Sequence, residues 1–310
     1  MTLFNKRMPV QALALQRARR ITQQSLTEER RPVFNKQDTK IQHNSGLNKA
    51  CFMPVTFSEK FGVRYLHFGT EWIQGAMRLK NPFDIEFEYV RQMMAWLLFL
   101  RPPRRIVQLG LGVAALTKFC YKYFPHSHID AVELNPEVIV AARSMFELPP
   151  DDQRLHVLQI NAWDFVNDCT NHGTIGVMQI DLYDQNGYGP TLDSIAFYRR
   201  CLACLRNPAI LTVNLFGEHL NFARNMHHLR VVFGTRVIAL PKLYEGNRVV
   251  LAFSGPALSI DWSFLVNRAQ VIEKTYRLSA SNWIDALQMT TNAPHHRTLP
   301  NSLIGQRFMI

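Results

Sequence analysis

The stretch Arg105-Ile106-Val107-Gln108-Leu109-Gly110-Leu111-Gly112-Val113-Ala114 decides the fold. A short, largely apolar run fits a strand covered on both faces, as strands of parallel sheets are. It ends in two glycines one residue apart, and Ala114–Tyr123 then reads as a helix. Glycine allows a sharp turn and close backbone approach to a ligand, and the helix start offers free N–H groups. The same turn also serves plain helix packing, so its surroundings matter. A second strand, His128–Glu133, ends with Glu133 lying 21 residues after Gly112. A carboxylate at that strand tip can accept both hydroxyl hydrogens of a ribose. Asn135 suits a helix cap and Pro136 its first turn. The third strand, Leu155–Gln159, leads into Ile160-Asn161-Ala162, where a polar residue can read a base amino group. Leu134 and Ala162 would supply apolar walls for a flat base. Gly110, Gly112, Glu133, Asn161 and Ala162 are the candidate nucleoside-binding residues.

Outward from this core the alternation continues. Glu137–Phe146 reads as a helix, Trp163–Asp168 as a short helix, Thr174–Asp181 as a strand and Thr191–Leu205 as a helix. Ala209–Leu215 reads as a strand, Leu220–Phe233 as a helix, and Arg236–Leu240 with Arg248–Phe253 as a closing hairpin. Strand–helix alternation predicts an α/β, doubly wound Rossmann-like sheet with helices on both faces. Upstream, Phe52–Thr56, Arg64–Gly69 and Glu71–Leu79 predict a small antiparallel sheet, and Glu86–Leu100 one continuous helix. The implied organisation is a basic, disordered tail over 1–48 and a small β region over 49–82. A nucleoside-binding catalytic domain over 83–255 and an extension over 256–310, with a helix at Ser279–Met289, complete it.

Composition narrows the function classes. Hydrophobic residues make up 47% of 310 residues, enough for a sizeable core. No apolar run approaches the roughly 18 residues needed to span a bilayer, and no secretory leader pattern is readable. The net charge is +11, but residues 1–50 hold ten Lys/Arg against three acids, leaving +4 for the other 260 residues. Nucleic acid is therefore disfavoured as a partner except through the basic tail. Five scattered cysteines suit reduced thiols and a cytoplasmic setting. Cys201 and Cys204 form the one close pair, without a second pair or histidines at ligand spacing, so they read as small buried helix residues and no metal is expected.

The fourth strand carries the chemistry. It runs into Asp181-Leu182-Tyr183-Asp184, two carboxylates at the carboxyl end of a parallel strand, where such sheets bind ligands. Gly187, Tyr188, Gly189 and Pro190 follow and predict a loop that closes over the site. A sulfonium donor needs neither metal nor covalent nucleophile, only an in-line nucleophile. If that nucleophile is an amine, a carboxylate can bind its ammonium form and take its proton. Paired acids beside tyrosines suit a cationic, flexible diamine.

These residues resemble the polyamine aminopropyltransferases, the spermidine and spermine synthases, over roughly Gly69 to Gly255. Ile73-Gln74, the helix around Tyr89, the Gly110 turn, Val132-Glu133-Leu134-Asn135-Pro136-Glu137, Arg154-Leu155, Asp181-x-x-Asp184 and Asn207-Pro208 occur in that family's order. The resemblance implies an S-adenosylmethionine-methyltransferase-type fold. It also implies transfer of an aminopropyl group from decarboxylated S-adenosylmethionine, a co-substrate and not a permanently bound cofactor, to a diamine such as putrescine. It makes Asp181 the proton acceptor, Asp184 and Gln74 diamine contacts, and Tyr89 and Tyr244 channel residues. Glu133 would hold the ribose, with Asn161 and Ala162 at the adenine. A homodimer is the family's usual assembly. Three departures stand out. Val113 replaces an Asp that grips the donor's propylamine, Asn161 replaces an adenine-reading Asp, and Ile85 and Val90 flank Tyr89 where polar residues are usual. Val113 keeps open a methyltransferase using intact S-adenosylmethionine, and a catalytically silent protein that retains the fold is a third reading.

Overall fold

The structure, a computed structural model, describes residues 52, 54–183, 190, 192–216, 219–256, 259–291 and 307–309. The expectations for residues 1–48, Asp184 and the Gly187–Gly189 loop lie outside the described residues. The elements that follow all belong to the unit beginning at Pro54.

Three strands, β1 (Val55–Lys60), β2 (Val63–Phe68) and β3 (Gly75–Arg78), form the expected small antiparallel sheet. Its first strand lies later than the Phe52–Thr56 expected from sequence. The turn is the reason: Phe61 and Gly62 have φ values of 52° and 75°, and Lys60 pairs with Val63. Positive φ at both central residues is the two-residue hairpin whose twist matches the strands. The third strand begins only at Gly75.

The main sheet contains β4 (Arg105–Leu109), β5 (His128–Glu133), β6 (Leu155–Gln159), β7 (Ile175–Ile180), β8 (Leu205–Phe216), β9 (Val237–Ala239) and β10 (Asn247–Ser254). Their order is β6-β5-β4-β7-β8-β10-β9. Strands β4 to β8 pair in parallel, and β10 inserts antiparallel between β8 and β9. From β4 the chain builds outward to β5 and β6, then returns to β7 on the other flank. That reversal opens a crevice at the carboxyl ends of β4 and β7, where such sheets bind ligands.

Helices α1 (Glu88–Gln92), α2 (Ala115–Tyr123), α3 (Pro136–Met145), α4 (Ala162–Asn167), α5 (Ile195–Cys204), α6 (His219–Phe233), α7 (Trp262–Tyr276) and α8 (Ala280–Thr291) cover the sheet, with a short pair of β11 (Ser259–Asp261) and β12 (Arg307–Met309). Two apolar layers result. One joins Met93–Leu98, α2, α7 and α8 to one sheet face, and the other joins α4, α5 and α6 to the opposite face. Cys201 and Cys204 are buried in the second layer, with free thiols.

The expected helix over Glu86–Leu100 is broken. α1 ends at Gln92, and Ala95–Leu98 is a separate 3-10 turn. The Met93 carbonyl accepts a hydrogen bond from Gln179 Nε2 at 3.1 Å, so a β7 side chain takes a carbonyl that a continuous helix would use internally. α7 went unread in the sequence. Trp262, Leu265, Ala269 and Ile272 form its buried stripe and Asp261 caps it, accepting from Ser263 N at 2.8 Å. Exposed Phe264, Val266 and Val271 blur that stripe, and Arg277 takes the left-handed stop at φ 57° where a glycine would have signalled the end. No helix among the described residues is long and apolar enough to cross a membrane.

Candidate active site

The Gly110 turn is fixed by close approach. Gly110 has φ 95°, and a Cβ there would lie 2.2 Å from the Asp181 carbonyl oxygen. No other residue type fits without moving the end of β7, so the tips of β4 and β7 are joined backbone to backbone. Gly112, at φ 52°, faces open space instead. Its amide is one of the donors to Glu133, whose Oε2 accepts from Leu111 N at 3.0 Å and whose Oε1 accepts from Asn135 N at 2.9 Å. Burial pushes the Glu133 carboxyl up, and these backbone N–H groups hold it partly back. The carboxylate is thus oriented by the backbone N–H groups of the glycine turn and of the segment after β5.

Next to it, Asn161 caps α4, its Oδ1 accepting from Trp163 N at 2.8 Å. Its NH2 and the second lone pair of Oδ1 remain. Ala162 is buried directly behind, while Leu134, Ile160 and Trp163 stand exposed at the tips of β5 and β6. Apolar surface left bare around one polar side chain is what a planar, partly polar ligand would cover.

Asp181 sits half-buried at the end of β7. Its Oδ1 accepts from Asn214 Nδ2 at 2.8 Å and its Oδ2 from the Tyr89 hydroxyl at 3.3 Å. Burial raises the carboxyl above its usual range, offset in part by these two bonds. Burial first, and then the Asp181 charge, pushes the Tyr89 phenol well above its usual value, so it remains a donor. Asn214 is in turn fixed: its Oδ1 accepts from Asn247 Nδ2 at 3.0 Å and its carbonyl from the Tyr183 hydroxyl at 2.7 Å. Asn214 and Asn247 escaped the sequence reading. The available signal was a lone amide in the apolar run Leu211–Leu215.

The remaining sequence candidates scatter. Gln74 is half-buried just before β3, its backbone N–H bonded to Leu66 O at 2.9 Å. Tyr244 is 61% exposed on the turn before β10. Val113 is only 4% exposed and packs with Leu66, Met77 and Phe146, linking the small sheet to α2 and α3. A Cβ on Gly75 would lie 2.7 Å from a Val113 methyl, so this residue pair closes the gap tightly.

No family model matches the chain. A polyamine aminopropyltransferase of Chromobacterium violaceum is 30% identical over 236 residues, spanning 76% of this chain and 90% of that protein. The human eEF1A lysine and N-terminal methyltransferase is 24% identical over 221 residues, spanning 64% of this chain and 31% of that protein. The crystal structure of a probable spermidine synthase from Corynebacterium glutamicum shares the fold at a TM-score of 0.60 and 14% identity, covering 81% of this chain and 95% of that one. With 30% identity over three quarters of its length, this transferase belongs to the polyamine aminopropyltransferase family.

Proposed function

We propose that the protein transfers the aminopropyl group of decarboxylated S-adenosylmethionine to a diamine such as putrescine, with Asp181 as proton acceptor. The observation that carries this reading is the Asp181 carboxylate, half-buried, raised in pKa and oriented by Asn214 and Tyr89. Glu133 would hold the ribose and Asn161 the adenine edge, placing the sulfonium near the Gly110 turn. The diamine arrives as an ammonium. Asp181 accepts its proton, and the freed nitrogen lone pair attacks the propyl carbon bonded to sulfur. The C–N bond forms as the C–S bond breaks, sulfur keeps the electron pair, and methylthioadenosine leaves as a neutral thioether. A base of raised pKa suits this step, because it accepts the proton more readily than an exposed carboxylate. Asp184, Gln74, Tyr89 and Tyr244 are proposed as diamine contacts, and a homodimer as the assembly.

Val113 favours a second reading, methyl transfer from intact S-adenosylmethionine. Its buried methyls offer no charge to a propylammonium. One assay separates the two. Purified protein is given decarboxylated S-adenosylmethionine with a panel of diamines, or the intact donor with candidate acceptors. Methylthioadenosine formation supports aminopropyl transfer. S-adenosylhomocysteine from the intact donor, without methylthioadenosine from the other, sinks it.

A further inference from the structure

At the opposite end of the sheet from Asp181, three side chains converge that sequence spacing did not bring together. Strand alternation sets His128 and Asp130 on one face of β5, and the parallel register places His156 of β6 directly beside Asp130. The potential ligand atoms of the three lie within 4.8 Å of one another. His128 Nε2 is 3.0 Å and His156 Nδ1 3.6 Å from the same oxygen, Asp130 Oδ1. The two rings meet edge to face, with centroids 4.6 Å apart.

The environment prepares this oxygen. Asp130 is buried, its side chain only 4% exposed, against 33% for His128 and 45% for His156. Arg105 bonds the other oxygen, Oδ2, from Nε at 2.8 Å, and is itself held by Asn171 Oδ1 at 2.9 Å and Thr174 Oγ1 at 2.7 Å. Oδ1 is therefore left to the imidazoles. His128 Nδ1 faces the Gln153 carbonyl at 3.2 Å. A carbonyl only accepts, so that nitrogen carries the hydrogen, and in the neutral ring Nε2 turns a lone pair toward a carboxylate oxygen. Two acceptors facing each other at 3.0 Å are reconciled by a proton on Nε2 or by a metal ion bound to both. An imidazole whose second nitrogen donates to a carbonyl is the outer-shell arrangement that orients metal-ligating histidines.

We propose that His128 Nε2, His156 Nδ1 and Asp130 Oδ1 bind one divalent transition-metal ion of the zinc class. Ligands about 2 Å from a tetrahedral centre are about 3.3 Å apart, a value that the two nitrogen–oxygen separations, 3.0 and 3.6 Å, straddle. Two imidazoles and one carboxylate favour zinc, copper or nickel over magnesium or calcium. The exposed rings leave the fourth position to water. The ion would tie edge strand β6 to β5, remote from the transfer chemistry, and the Arg105 charge beside it would temper its affinity.

The test uses the full chain, stripped with EDTA and dialysed. Cobalt(II) is titrated with its visible absorption followed, and zinc and magnesium are titrated by calorimetry. The expected result is one cobalt or zinc per chain, little magnesium binding, and at least about a tenfold loss of affinity in His156→Ala. His156 is chosen because its half-exposed ring can be removed without opening the core, and circular dichroism verifies the fold. Absence of one-to-one cobalt or zinc binding overturns the proposal. So does binding that His156→Ala leaves unchanged, which would place the ion elsewhere, or magnesium binding equal to zinc.

Discussion

The Asp181 carboxylate is held by two side chains, Asn214 and Tyr89. On the proposed reading, Asp181→Asn removes the proton acceptor and lowers kcat by at least about 100-fold. Donor binding, followed by calorimetry, stays measurable because Glu133 and the glycine turn are untouched. Asn214 gives a sharper test, since it acts only through Asp181. Its amide lowers the pKa of a carboxyl that burial raises. Asn214→Ala should therefore move the acid limb of the kcat–pH profile to higher pH, with kcat at neutral pH reduced about tenfold. A residue of merely structural importance would change expression or melting and leave that limb in place. Gly110→Ala should cost about 2 kcal/mol or more, read by chemical denaturation, because it adds both a strained φ and a carbonyl clash at 2.2 Å.

Buried amides tie the elements together. Gln108 and Gln179 lie side by side in the β4/β7 register, bonded at 3.2 Å. Thr117 Oγ1 of α2 donates to Gln108 Oε1 at 2.8 Å, and Gln179 Nε2 reaches the Met93 carbonyl. One chain of bonds thus links α2, the sheet centre and the segment just after Tyr89. Gln179→Leu leaves Met93 O and Gln108 Nε2 buried without these partners and should destabilise the protein by about 1–3 kcal/mol. It should also raise KM for the amine if Tyr89 shifts with its helix. This network explains what the sequence could and could not tell. The strands of the main sheet and the glycine turn were legible because their signals are local: apolar runs, Gly110, Asn135-Pro136. The break after Gln92 was not, because its cause is a glutamine about ninety residues away. α7 was missed as well, because exposed Phe264, Val266 and Val271 mask its buried stripe. Gly110, Glu133 and Asn161 stand at strand tips that local sequence marks, whereas Asn214 and Asn247 meet only because β10 lies against β8.

Over the whole molecule, stability carries one unusual titration. Lys118 is buried in α2, its Nζ donating to the Phe146 carbonyl at 2.6 Å. Burial lowers its pKa from 10.5 to about 7, with the Glu147 charge opposing. Between those values the unfolded chain binds the extra proton, so this group makes stability rise with pH. Below about pH 7 both states are protonated and the folded state bears the full cost of a desolvated ammonium. Wild-type protein should accordingly gain on Lys118→Met, on the order of 3 kcal/mol between about pH 6 and about pH 9.5, in urea midpoints. A constant difference across that range would show that the lysine stays charged.

The insertion of β10 between β8 and β9 also sets an order of construction. Strands β4, β5 and β6, with the Glu133 carboxylate, precede β7 on the chain and can associate as soon as they are made. β8 cannot be covered until residues 247–254 arrive, and until then it is a long apolar strand with an open edge. The same late strand delivers Asn247 to Asn214 and so completes the support of Asp181. The Glu133 edge of the crevice is therefore assembled early and the Asp181 edge last, and a chain interrupted near residue 245 would combine a finished Gly110–Glu133 turn with a sticky, unsupported Asp181 flank.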